Sequence, residues 1–303
     1  MPAPLFEAIP NFSEGRDREK ISRITDAVRA VPGVRILGLH SDPDHNRSVL
    51  TFVGEEDVVL SGVIALARAC ASELDLTTQT GEHPRMGVLD VLPFVPLEGA
   101  AMEDAVRLAR RVAEILGSLG FPAFLYGAAA TAPHRRELPA VRRAGYEGVA
   151  TRLEDPLWRP DYGPPALDPR MGAVAVGARP FLVAFNAFLD TDDVEVARAV
   201  ARRVRESSGG LRAVRALGFA VGGKAQVSMN LVDLEQTPIH VALEAVRSSA
   251  TDLGASVEST ELVGLAPLAA ILDTARYCLG LRGLGPEQIL ETKLYGPQGP
   301  GIA

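Results

Sequence analysis

Positive charge is what this chain is short of. Its 31 Lys and Arg face 38 Asp and Glu, a formal net charge of -7, and no run of basic residues interleaved with aromatics offsets the deficit. A nucleic-acid partner is therefore not expected, because such partners are held by clustered cations. Any anionic ligand must be met by a local group of side chains. Long apolar runs are missing too. No stretch approaches the roughly eighteen apolar residues of a membrane span, and residues 1–13 set no basic segment ahead of an apolar one. A cytoplasmic protein without membrane contact is the expectation. Cysteine is scarce: Cys70 and Cys278 are the only two. They lack a zinc spacing and suggest no disulfide framework, so both are expected in the core, and no metal is expected.

What is present is ample apolar material, 47% of 303 residues, enough for one large or two small domains. One stretch stands out: Gly81-Glu82-His83-Pro84-Arg85-Met86-Gly87. A carboxylate, an imidazole and a guanidinium fall within four positions, bracketed by glycines that let the backbone bend and approach a ligand. Pro84 keeps His83 out of the helical region, so the ring projects from a stiff segment, as a proton-transfer group requires. Glycines and a proline are also ordinary turn chemistry. Against that simpler reading stands Asp90, a carboxylate within the apolar run 88–96 that needs a partner or a purpose.

In chain order, residues 5–10 read as a strand and 11–15 as a turn. A helix follows with Ile21, Ile24, Val28 and Val31 on its buried stripe. Residues 34–39 form a strand, 41–46 a polar loop, 47–53 a strand, 57–74 a helix, and a strand starts at 88. This order is the split βαβ unit, a four-stranded antiparallel sheet with two helices on one face. A helix with Ala105, Leu108, Val112, Ile115 and Leu119 facing inward and a strand at 121–126 extend it. Residues 155–172 carry five prolines and the only tryptophan, Trp158, and read as irregular.

The order then repeats. Strand 181–189, helix 193–206, a hairpin of 211–221 and 225–233 across Gly222-Gly223-Lys224, a helix opening at Thr237-Pro238, and strand 255–265 follow one another. Residues 295–303 read as a tail. The fold class expected is α+β, with duplicated ferredoxin-like βαββαβ units at 1–179 and 180–303. Each sheet leaves one face open, and two such faces set against each other would create a cleft or a ligand tunnel. Alternation puts Gln226, Ser228 and Asn230 on one face of their strand, and Asn186 is a polar residue in another apolar strand. Bulk solvent explains such a face ordinarily; opposite a second sheet it would bind a flat, polar ligand.

Several segments together resemble the glutamate formimidoyltransferase family, the folate-dependent transferases that also form the amino-terminal part of mammalian formimidoyltransferase-cyclodeaminase. They are Ile9-Pro10-Asn11-Phe12-Ser13-Glu14-Gly15, Asn46-Arg47-Ser48-Val49-Leu50-Thr51-Phe52-Val53-Gly54, the stretch from Gly81 to Gly87 with Leu89-Asp90, and Glu261-Leu262-Val263-Gly264-Leu265. The resemblance implies transfer of a formimidoyl group between N-formimidoyl-L-glutamate and N5 of tetrahydrofolate, with His83 as catalytic acid/base. It also implies that Gly163-Pro164-Pro165-Ala166-Leu167-Asp168-Pro169-Arg170-Met171-Gly172 is a folate-binding loop. Where mammalian members carry an acidic residue this chain has His40, and the orienting role is expected to pass to Asp42, Asp44 or Glu82, or to be lost. The cyclodeaminase part is expected to be absent, and the oligomeric state stays open, a homodimer included.

The chemistry fits one histidine. The attacking amine loses a proton and the departing amine gains one, and an imidazole titrating near neutrality can do both in turn, steadied by a carboxylate. Arg47, Arg85 and Arg170 are candidates for substrate carboxylates, with Asn11 and His40 beside them. Asn186, Gln226, Ser228 and Asn230 are candidates for the pterin. Formyl transfer and a non-catalytic metabolite-binding module are the alternative readings.

Overall fold

The computed structural model describes residues 3–43, 45–80, 85–143 and 145–295. They divide into a first unit ending at Pro180 and a second beginning at Phe181. Both are built from helices and β-sheet, and the fold class is mixed α+β with two sheets.

In the first unit, β1 (Leu5–Ala8) stops short of Pro10, which has no N–H for the ladder, and the chain resumes as β2 (Asn11–Phe12). The expected turn at 11–15 is therefore partly strand. Both pieces occupy one lane, pairing antiparallel with β4 (Arg47–Glu55) on one side and β5 (Leu89–Pro96) on the other. The amide of Leu50 closes the gap by donating to the Pro10 carbonyl at 3.0 Å. Beyond β4 lies β3 (Arg35–Asp42), which runs three residues further than expected because Ser41 and Asp42 pair with Ser48 and Arg47. Helix α1 (Arg18–Arg29) begins where the Asp17 carboxylate accepts the N–H groups of Glu19 and Lys20. It buries Ile21, Ile24 and Val28, while Val31 lies past its end. Helices α2 (Glu56–Glu73) and α3 (Met102–Ser118) join it on one face, over Phe6, Phe12, Phe52 and Phe94.

The expected extension by a helix and a strand is present as α3 and β6 (Ala123–Gly127), but the sheet holds one strand more than expected: β7 (Val174–Ala178) runs parallel to both β5 and β6, making seven strands. β7 has five consecutive buried residues. A parallel strand covered on both faces shows no alternation to read. The second cover comes from α4 (Leu138–Arg142) and α5 (Gly145–Leu153), whose Val141 and Val149 pack on Val91, Phe124, Tyr126 and Ala175.

The second unit runs β8 (Val183–Leu189), α6 (Val194–Val204), β9 (Val214–Val221), β10 (Lys224–Leu231), α7 (Ile239–Thr251) and β11 (Val257–Val263), then α8 (Leu268–Leu279) and α9 (Leu290–Tyr295). The sheet order is β11-β8-β10-β9, all antiparallel. The hairpin turns on Gly222 and Gly223, both at positive φ (58° and 77°), as a two-residue turn between right-twisted strands requires. Helices α6 and α7 cover one face, where Phe185, Val227 and Met229 meet Val200 and Val246.

Two expectations need correction. Thr237 does not cap α7: Pro238 holds that position, and the Thr237 hydroxyl donates to the Arg212 carbonyl at 2.6 Å. Cys70 is buried, and burial pushes its thiol well above the usual range, but Cys278 is exposed. It sits on α8, of which only Leu272 is buried. Among the described residues no helix is long and apolar enough to cross a membrane, and no group of three His, Cys, Asp or Glu could hold a metal ion. Residues 296–303, the remainder of the expected tail, lie outside the described residues.

Candidate functional site

The expected catalytic residues His83 and Glu82, and Asp44 with them, lie outside the described residues. The stems on either side of 81–84 are described and heavily tied. On the entry side, Asn46 is buried and holds a left-handed φ of 51°, a conformation Asn tolerates. Its Nδ2 donates to the Thr80 carbonyl at 2.9 Å and its Oδ1 accepts the amide of Gly15 at 2.9 Å. On the exit side, Arg85 reaches back to donate to the Gln79 carbonyl at 2.9 Å, closing the two stems on each other. Arg85 is mostly buried over the Tyr146 ring and pairs with Glu147 at 3.3 Å. A cavity of about 210 Å³ beside these stems is lined by Ser13, Glu14, Asn46, Gln79 and Thr80.

Gly87 then forms an antiparallel bridge with Gly172. Val88 donates to the Met171 carbonyl at 2.8 Å and Ala173 to the Met86 carbonyl at 2.7 Å. A Cβ on Gly87 would run into the carbonyl of Ala173, and one on Gly172 into that of Met86, so the approach depends on glycine at both places. The exit of the histidine-bearing stretch and the exit of the proline-rich loop are thus joined, 85 residues apart in sequence, by main-chain hydrogen bonds.

That proline-rich loop starts from a second tether. The Asp161 carboxylate accepts the amide of Leu125 at 2.8 Å and the guanidinium of Arg135 at 2.8 Å, both charges being buried. Between Gly163 and Met171 the residues are exposed or half-buried, including Pro164, Pro165, Ala166, Leu167, Asp168 and Pro169. Asp168 accepts the amide of Arg170 at 2.8 Å, and Arg170, largely exposed, pairs with Asp75 at 3.0 Å.

Strand register gathers the remaining candidates of the first unit. Val49 stands opposite both Asn11 and His40, and Arg47, two residues on, stands opposite Asp42. Opposed residues share a face and so do positions two apart, so all four candidates project on the side away from α1–α3. Asp42 is engaged locally: its Oδ2 lies 2.5 Å from His45 Nδ1 and its Oδ1 accepts the His45 amide at 3.0 Å. His40 is exposed. Arg47 is half-buried and donates to Asn11 Oδ1. Burial pulls its guanidinium down to about 10, with Asp90 opposing that and Arg142 adding to it. Its Nε is buried without a hydrogen-bond partner among the described residues.

Asp90 proves to be the anchor of this region. It is 2% exposed, accepts the amide of Met86 at 2.9 Å through Oδ1, and pairs with Arg142 at 2.6 Å through Oδ2. Burial pushes the carboxyl up, while Arg142, the Met86 amide and Arg47 pull against it. Sequence reasoning singled out Asp90 and missed its partner. Arg142 comes from a short helix 52 residues away, and nothing in its own neighbourhood marks it.

In the second unit, Ser228 stands opposite Asn186. Asn186 and Gln226 are buried, Ser228 is half-buried and Asn230 exposed. A groove of about 450 Å³ runs over this side, lined by Ser228, Asn230, Arg215, Leu217 and Phe219.

Comparison with known proteins gives these features a context. Residues 5–179 match the formiminotransferase domain, N-terminal subdomain, and residues 184–284 match the formiminotransferase domain. Over 295 residues the chain is 42% identical to a glutamate formimidoyltransferase of Thermoplasma acidophilum, covering 96% of this chain and 97% of that one. It is 39% identical to another from Streptococcus pyogenes serotype M1, covering 97% and 100%. The formimidoyltransferase-cyclodeaminase of Mus musculus is 41% identical over 284 residues, 90% of this chain and 52% of that protein.

Proposed function

Because this chain belongs to the formiminotransferase family, we propose that it moves the formimidoyl group between N-formimidoyl-L-glutamate and N5 of tetrahydrofolate, by general acid/base catalysis. It is a one-carbon transferase, with folate as co-substrate and small molecules as its partners, and it acts in the cytoplasm. The observation that carries the reading is likeness along nearly the whole length of relatives bearing that activity in their names. The bridge from Gly87 to Gly172 supports it, since a two-substrate transfer needs the proton-handling stretch and the folate loop held together.

The units are 1–179, including the proline-rich loop 155–172, and 180–303. Both chains of elements run strand, helix, strand, strand, helix, strand, and the lane orders β5-β1-β4-β3 and β11-β8-β10-β9 correspond. That correspondence supports a duplicated ferredoxin-like unit.

In the reaction, N5 of tetrahydrofolate adds to the formimidoyl carbon and gives a tetrahedral intermediate. His83 takes the proton from N5 and returns it to the departing glutamate nitrogen. Glu82 or Asp42 steadies the imidazolium. Arg47 and Arg85, with Asn11 and His40, receive the carboxylates of the donor; desolvation strengthens the attraction of Arg47 for an anion. Residues 163–172 with Asn186, Gln226, Ser228 and Asn230 hold the folate.

The test is loss of N-formimidoyl-L-glutamate in the presence of tetrahydrofolate, with wild type and His83→Ala side by side. Turnover by wild type and a fall of roughly 10²-fold or more in the variant, with tetrahydrofolate binding retained, is the expected result. Wild type that binds folate but transfers only a formyl group, or nothing, would overturn it.

A further inference from the structure

Glu261-Leu262-Val263-Gly264-Leu265 is a motif with no task in the reading so far. β11 places its first residue in a definite setting. Glu261 stands opposite Asn186 on β8, Asn186 opposite Ser228 on β10, and Ser228 opposite Leu217 on β9. Opposed residues share a face, so carboxylate, amide, hydroxyl and leucine form one row across the sheet. The intervening residues Phe185, Ala187, Val227 and Met229 fill the core under α6 and α7, so the row lies on the uncovered side. The next row brings Phe188 and Phe219 to either side of Gln226. Leu217, Phe219 and Ser228 line the groove of about 450 Å³.

Glu261 is exposed but not loose, since Asn186 Nδ2 donates to its Oε2 at 3.2 Å. Glu206, a carboxylate that lines the groove, is taken up by the amide of Ala213 at 2.9 Å, whereas Glu261 stands at the far end of the row from Leu217. A pterin is a flat ring whose 2-amino group and N3–H present two donors side by side on one edge, next to the acceptor O4. A carboxylate is the complementary acceptor for two parallel N–H groups, as in its forked pairing with a guanidinium. The Ser228 hydroxyl, one strand beyond the amide in the row, is a donor for O4.

We infer that Glu261 is the residue that recognises the pterin edge of tetrahydrofolate, accepting from the 2-amino group and N3–H. Asn186 orients it, Ser228 meets O4, and the flanking phenylalanines offer ring surface. This deepens the folate reading and rests on it.

The experiment compares wild type with Glu261→Gln, an exposed, isosteric change, using tetrahydrofolate and its 2-desamino-2-methyl analogue as probes. Equilibrium binding and steady-state kinetics are both measured. The variant is expected to raise Kd and KM for tetrahydrofolate about 10- to 100-fold, the worth of a hydrogen bond to a charged group, with kcat and the KM for the donor unchanged. Wild type should prefer tetrahydrofolate over the analogue by a similar factor, and the variant should lose that preference. Unchanged tetrahydrofolate binding in the variant, or a rise confined to the KM for the donor, overturns the assignment while leaving the folate reading intact. Failure of wild type itself to bind tetrahydrofolate overturns the folate reading and the assignment with it.

Discussion

In the first unit several polar groups at the sheet are charged, largely buried and engaged by fixed partners. Asp90 holds the Met86 amide and Arg142, Asp161 holds Arg135, and Arg47 leans on Asn11. In the second unit the row of Ser228, Asn186 and Glu261 is mostly neutral and partly open to solvent, with a single amide-to-carboxylate hydrogen bond within it. A buried ion pair adds little net stability but is costly to break, so it fixes geometry. Half-buried or exposed groups such as the Ser228 hydroxyl and the Asn230 amide keep hydrogen-bonding capacity. The first unit's sheet is thus framed by buried ion pairs, and the second presents a polar face with few fixed partners.

The largest break in that contrast comes from truncating the frame. Asp90→Ala strands Arg142 in a buried position and releases the Met86 amide, and should cost about 3–5 kcal/mol in urea unfolding. Ser228→Ala on the open face of the second sheet should stay within about 0.5 kcal/mol. Similar costs for the two would remove the distinction.

A smaller effect concerns pH. Glu7 on β1 is buried, and desolvation raises its carboxyl above the ordinary 4.5, with Arg179 opposing. A carboxyl raised in the folded state contributes its full stability below the unfolded value, and that contribution is lost as pH rises through the folded pKa. The advantage of Glu7→Gln over wild type should therefore grow from pH 4 towards pH 7 in urea titrations. In the second unit Asp190 and Asp233 are lowered by hydrogen bonds from Ser256 and Gln236. Their contribution is present above 3.8 and lost as pH falls, so replacing Asp190 by Asn should give the opposite slope.

The smallest is a matter of access. The thiol of Cys278 should react with Ellman's reagent in the native protein and that of Cys70 only after unfolding. Cys278→Ala should abolish the native signal and shift stability by less than about 0.5 kcal/mol. Two thiols reacting in the native state would mean that the core around Cys70 opens easily.

Much of this molecule was legible from its residues in order. The stripe of Ile21, Ile24 and Val28 and Gly222-Gly223 between two strands each announce their structure. Less legible were elements whose pattern is silent. β7 reads as a plain small-residue run because both its faces are covered. Cys278 follows a helical period, but its helix is barely buried, and periodicity says nothing of what packs against a face.

The sequence by itself determined the type and order of most elements, and the motifs that place the chain in its family, because caps, turns and the periods of helix and strand act over neighbouring residues. The tertiary structure alone decided that Gly87 lies against Gly172, that Asp90 finds Arg142, and that Glu261 completes a row with Asn186 and Ser228. Those meetings depend on strand register and on which distant segments can approach closely enough to exchange hydrogen bonds, and no local pattern encodes a partner tens of residues away.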